Sequence, residues 1–175
     1  MKSATFFYAM LLLLLFVSKP VGAQDKAELE AIHKLIDQYG KTEDTGDLMG
    51  QAKLMTADRI WIGPVGAGRR TDQAMNMQMQ QAAADEAKKL VPEIKWFTEA
   101  RDRIIKFYGN GTVAVASFYW YRTFVLPANT PAETRKLFET QPPPVAITLV
   151  LVKERGEWKI AHTHVSLLNP PPSGQ

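Results

Sequence analysis

The sequence predicts an α+β domain in which leading helices are wrapped by a curved antiparallel sheet, and three observations carry that prediction. Residues 25–39 place Leu29, Ile32, Ile36 and Tyr39 at three- and four-residue spacing, the period of a helix with one buried face. Residues 99–108, 112–126, 145–154 and 157–168 are rich in β-branched and aromatic side chains, which suit strands. Asn110-Gly111 and Arg155-Gly156 separate these strands in pairs, as the tight turns of two hairpins.

Ahead of the first helix stand Lys2, an apolar stretch over residues 4–17 with leucine from Leu11 to Leu15, and then Lys19 and Pro20. Val21-Gly22-Ala23 supplies the small residues of a signal-peptidase site, so an export signal over residues 1–23 is expected, cleaved after Ala23. An uncleaved anchor is the rival reading, but about 14 apolar residues are too few to cross roughly 30 Å of hydrocarbon. The chain contains no cysteine, which excludes a lipid-modified N-terminus. The expectation is a secreted or periplasmic protein, off the membrane once the signal is gone, with one domain over residues 24–168 and a frayed tail over 169–175.

Along that domain, Gly40 is expected to end the first helix. Gly46-Asp47 opens a shorter one through Leu48, Ala52 and Met55. Residues 59–63 read as a short strand, followed by a turn-rich connection. A third helix is predicted from Thr71, a capping residue, to Leu90, with Pro92 enforcing the stop. A proline-rich insertion between Pro127 and Pro144 has room for one helical turn over residues 133–138.

Composition excludes several function classes. The precursor's net charge of +3 falls towards balance once Lys2 and Lys19 leave with the signal, and no basic stripe remains for nucleic acid. Without cysteine there are no disulfides, so stability rests on a hydrophobic core. The glycine-rich residues 63–68 lack the Gly-Lys-Ser/Thr ending of a phosphate loop, and no cofactor is expected. Asn110-Gly111-Thr112 fits a glycosylation sequon, which the turn itself explains.

His162 and His164 lie two apart on a strand, so their imidazoles share a face and are the catalytic candidates. Strict alternation groups them with Trp158, Ile160 and Ser166, opposite Ala161, Thr163, Val165 and Leu167. It does not say which group faces inward, and a structural role in strand or dimer contacts is the alternative. No metal is expected, because His33 is the only other histidine and a tight site needs three or four ligands. Alternation also sets Tyr119, Tyr121 and Thr123 against Phe118, Trp120, Arg122 and Phe124. Arg122, if inward, needs an anion: a bound carboxylate, or an internal acid such as Asp102 or Glu99. Met75 and Met79 stand one helical turn apart, with Met77 on a different side, as either an adaptable apolar wall or plain core filling.

The pieces Thr45-Gly46-Asp47-Leu48, the strand with Trp61, the hairpin from Tyr108 to Val115 and the closing Gly156-Glu157-Trp158-Lys159-Ile160-Ala161-His162-Thr163-His164-Val165-Ser166 resemble the SnoaL-like families of the nuclear transport factor 2 superfamily. The resemblance covers roughly residues 27–168. It implies a cone-shaped sheet wrapped around the N-terminal helices, a cavity between them, and homodimers formed through the open sheet face. Relatives include ketosteroid isomerase, polyketide cyclases and the association domain of calcium/calmodulin-dependent kinase II, in which the residue aligned with Val165 contributes to the pocket. The expected ligand contacts are Trp61, Met75, Met79, Tyr119, Tyr121, Arg122, Thr163 and Val165. The expected function is to hold a small, largely apolar organic molecule. One alternative is a proton-transfer enzyme (isomerase, cyclase or dehydratase) using His162 or His164 with Tyr119 or Tyr121 as oxyanion donor. The other is a protein-interaction domain.

Overall fold

The structure, a computed structural model, describes residues 21–168 apart from residues 65 and 139. The tail and all but the last three residues of the expected export signal lie outside the described residues. No helix among the described residues is long and apolar enough to cross a membrane.

Helix α1 (Val21–Thr45) buries Ile32, Leu35, Ile36 and Tyr39 along one face. It runs through Gly40 instead of ending there. At Gly40 the helix passes over the Trp120 ring, where a β-carbon would sit 3.4 Å from its Cη2 atom. The real terminator is Gly46, whose φ of +68° is the left-handed turn that glycine accepts most readily. The Asp47 amide then donates to the Thr42 carbonyl at 2.9 Å and the Gly46 amide to the Glu43 carbonyl at 3.2 Å, closing the helix end.

Asp47 caps the next helix, α2 (Leu48–Ala52), by accepting from the Gly50 amide at 2.8 Å. Strand β1 (Met55–Ile62) starts earlier than the apolar run suggested, because it begins beside Ile160 of the last strand. A two-residue strand β2 (Arg69–Arg70) pairs with its end. Helix α3 (Gln73–Leu90) is capped by Asp72, not Thr71, through the Met75 amide at 2.9 Å. Gln81 of α3 clamps the turn after α1, donating to the Gly46 carbonyl at 3.0 Å and accepting from the Leu48 amide at 2.9 Å.

Four long strands follow: β3 (Lys95–Tyr108), β4 (Val113–Val125), β5 (Val145–Glu154) and β6 (Glu157–Leu167). The insertion between β4 and β5 carries the short helix α4 (Ala132–Lys136). The sheet is curved and unclosed, in the order β2-β1-β6-β5-β4-β3. All neighbours are antiparallel except β1 and β6, which run parallel. The register also shifts between Met55 and Ile60 of β1, and irregularities in β3 and β6 re-aim side chains of the sheet. In β3 the register with β4 slips by one residue between Arg101 and Ile104, with Asp102 at a φ of +53°. In β6, Val150 pairs with His162 while Leu151 pairs with Ile160, leaving Ala161 as the extra residue.

The inner face of the sheet packs Ala114, Ala116, Phe118, Trp120, Ile147, Leu149, Leu151, Trp158 and Ile160 onto the buried face of α1, with Leu48 of α2 and Met77 of α3. Tyr39 meets Trp120 edge-on, ring centroids 5.4 Å apart. Glu28 of α1 accepts from the Trp158 indole at 2.7 Å and pairs with Lys153 at 2.5 Å, fixing the start of the helix against β5 and β6.

Candidate functional site

Of the clefts among the described residues, one lies at the mouth of the cone between the helices and the sheet. There the end of α1, α2 and α3 face the start of β3 and the end of β4. A cleft of about 290 Å³ is lined by Glu43, Leu48, Gln80, Ala84, Trp96 and Arg122, among others. The sequence builds it simply. Tyr39 and Glu43 fall one turn apart, so the apolar stripe of α1 ends in a carboxylate. On β4, Arg122 follows Trp120 and Phe118 on the inner face and reaches that carboxylate.

Arg122 Nη1 stands 3.6 Å from Glu43 Oε2, with the two side chains 32% and 15% exposed. The guanidinium also lies over the Trp96 ring, 4.6 Å from its centroid. Its Nε is buried without a hydrogen-bond partner. Gln51 Nε2 donates to Glu43 Oε1 at 2.9 Å and to the Tyr39 carbonyl at 3.3 Å. Burial, and then the nearby Glu43 charge, push the Tyr39 phenol up to about 12, against the opposing effect of Arg59 and Arg122. At neutral pH Tyr39 is therefore a fixed neutral dipole.

Deeper in the cone is Arg59 of β1, 1% exposed. Its Nε donates to the Thr163 hydroxyl at 3.1 Å and its Nη1 points at the Met77 sulfur at 3.7 Å. Burial lowers this guanidinium from its ordinary range, and Tyr39 and Glu43 partly oppose that shift.

The bulge at Ala161 decides where the candidate residues of β6 point. Strict alternation would keep His162 and His164 with Trp158 and Ile160. The extra residue instead moves Thr163 and Val165 onto the core face, opposite Leu149 and Ile147, and turns His162, His164 and Ser166 outward. Thr163 is fully buried and Val165 packs against the core, whereas His164 is exposed. The two histidines thus lie on the outer face of the sheet, beside Thr148 and Val150, and do not line the cleft. Burial, then His164, then Arg59 lower the His162 imidazole from its ordinary value.

Other expected contacts are redistributed. Tyr119 and Tyr121 also face outward, because the inward set of β4 is Phe118, Trp120, Arg122 and Phe124. Arg101 stacks over the outer Tyr121 ring at 4.8 Å. Met75 and Met79 are 54% and 50% exposed on the outside of α3, correcting their place in the wall; the buried thioether is Met77. Trp61 is half-buried on β1, with the Arg70 guanidinium 5.7 Å from its ring centroid, away from the cleft lining. Arg122 does face inward, and its acid is Glu43 of α1 instead of Asp102 or Glu99.

Glu43 and Arg59 were not singled out as site residues in the sequence, and Tyr39 and Met77 were read only as helix positions. Both site residues left a signal: Glu43 continues the stripe of α1 by one turn, and Arg59 is a charge immediately before the apolar Ile60-Trp61-Ile62.

The SnoaL-like domain family matches residues 32–170. Among solved structures, one from Catenulispora acidiphila in complex with S-DNPA has a TM-score of 0.63 at 13% identity, covering 81% of this chain and 94% of that one. ActVI-ORFA from Streptomyces coelicolor has a TM-score of 0.62 at 15% identity, covering 80% of this chain and 96% of that one. An NTF2-like protein with a cystatin-like fold from Novosphingobium aromaticivorans has a TM-score of 0.61 at 17% identity, covering 98% and 94%. No curated protein matches the sequence. The structural likenesses are likenesses of fold, whereas the family match spans most of the chain: the protein belongs to the SnoaL-like family, on the nuclear transport factor 2-like fold.

Proposed function

We propose that this is an exported protein that holds a small, largely apolar organic molecule in the cleft at the mouth of its cone. The observation that carries the reading is the make-up of that cleft. Ala83, Ala84, Ala87, Ile94 and Trp96 form an apolar wall above a polar floor of Glu43 and Arg122. The Catenulispora acidiphila structure, of the same fold, is a complex with S-DNPA, which supports a ligand in this chain as well. Binding is favoured over turnover because Glu43 is already engaged by Gln51 and Arg122, and His162 and His164 stand on the other side of the sheet.

Isothermal titration with 1-naphthamide, a flat uncharged probe, tests the reading. One saturable site per chain is expected, lost on Ala83→Trp, an exposed cleft-lining position that accepts a larger side chain without unfolding the helix. Binding that Ala83→Trp leaves unchanged, or no binding at all, contradicts it.

The outer face of the sheet supports self-association. Phe97, Ile104, Tyr119 and Val125 are 41–59% exposed there, and His162 and His164 lie on the same face. A homodimer through this face is expected to sediment as one species and to dissociate on Ile104→Lys; a wild-type monomer rules it out. Export rests on residues 1–23 and predicts protein recovered outside the cytoplasm beginning at Gln24.

A further inference from the structure

Arg59 is a buried cation in direct contact with no acid, and the Glu43 charge reaches it only from a distance. Among the described residues no carboxylate lies within 4.0 Å of its guanidinium. Its hydrogen bonds go to a threonine hydroxyl and a thioether. Glu43, the acid of this region, is shared between Gln51 and Arg122. The Met77 sulfur also receives Gln80 Nε2 at 3.8 Å, so a guanidinium and an amide both aim N–H groups at one of the weakest acceptors a protein has. Arg122 Nε and the Asn76 amide nitrogen are buried donors with no partner. Gln51 Oε1 and the Thr56 hydroxyl are buried without partners as well, so the imbalance is one of charge: the inner cone carries two guanidinium groups against one carboxylate.

We infer that the cone takes a carboxylate-bearing ligand, whose acid group displaces the Met77 thioether and pairs with Arg59. The inference rests on the cleft being the ligand site. Met77 and Arg59 lie behind the cleft lining, one contact apart from it: Gln80 lines the cleft and touches the Met77 sulfur, which touches Arg59. Met77 is unbranched with three rotatable bonds, so swinging it aside costs little beyond the contacts it leaves. A guanidinium–carboxylate pair in so dry a place replaces a weak acceptor with a charged one and balances the local charge. The ring of the acid then rests on the wall of Ala84, Ala87 and Trp96. The ligand class is an aromatic or alicyclic monocarboxylic acid.

Titrating the full protein with 1-naphthoate and 1-naphthamide, which share a ring and differ in charge, tests this directly. Naphthoate is expected to bind at least roughly tenfold tighter, and Arg59→Met to erase that advantage while leaving the amide's affinity. Equal affinities in the wild type overturn the carboxylate assignment and leave the cleft reading standing, whereas failure of both probes to bind removes both. Should Arg59→Met not fold, Met77→Glu places an acid beside the guanidinium from within the chain. It is expected to melt no lower than Met77→Gln and to abolish the preference for naphthoate. A Met77→Glu protein that melts well below Met77→Gln overturns the inference.

Discussion

Glu43 of α1 and Arg122 of β4 face each other at 3.6 Å across the mouth of the cone, and Gln51 of α2 holds the other oxygen of the same carboxylate at 2.9 Å. One side chain thus ties the first two helices to the sheet at the point where the fold stays open.

Replacing Glu43 by glutamine keeps an acceptor for Gln51 but leaves both arginines of the cone without their shared counter-charge. The pair is partly exposed, so the cost falls below that of a fully buried pair, at about 1–2 kcal/mol. Denaturant unfolding is expected to show that loss, and the Glu43→Gln/Arg122→Met double variant to recover part of it. Additive single-variant losses would mean the two residues do not act together.

Alkaline pH has a defined sign here. The folded state holds Tyr39 protonated up to about 12 against an ordinary value of 10.0, so its contribution is complete below pH 10 and drains away as pH rises towards 12. A two-unit gap corresponds to at most about 2–3 kcal/mol. Tyr39→Phe is expected to flatten the alkaline limb of stability against pH. An unchanged limb contradicts the burial assigned to the phenol.

On the acid side the sign reverses. His162 is held below its ordinary value of 6.5, so protons favour the unfolded chain and stability slips as pH falls through that value. His162→Asn is expected to remove this slope between pH 7 and 5. The effect is small because the ring is partly solvated.

Two helical glycines should respond oppositely to alanine. At Gly50 the new β-carbon would come within 2.1 Å of the Asp47 carboxylate that caps α2, so the cap must break at a cost of about 1 kcal/mol. At Gly40 the nearest atom is Trp120 Cη2 at 3.4 Å, an ordinary contact, and removing a mid-helix glycine is expected to stabilise by about 0.5–1 kcal/mol. Thermal melts of the two variants check both signs.

Element type and order were legible because burial imposes its period on the sequence. Ile32, Ile36 and Tyr39 announced α1, and the turn pair Arg155-Gly156, at φ of +50° and +89°, announced the last hairpin. Gly40 misled because a glycine that makes room for Trp120 reads the same as one that ends a helix. The site was much less legible. A one-residue bulge at Ala161 inverts every side chain after it, and nothing in alternating residues marks where a strand will slip. Arg122 was recognisable as a charge among aromatics, but its partner lies 79 residues away in sequence on α1, a pairing that exists only once the sheet curves over the helix.

The cleft as a ligand site is tested most directly by native mass spectrometry of the protein recovered from its own host, wild type beside Ala83→Trp. The wild type is expected to carry a bound small organic molecule of defined mass, absent from the variant. Bare chains in both spectra, or the same adduct in both, would contradict the account.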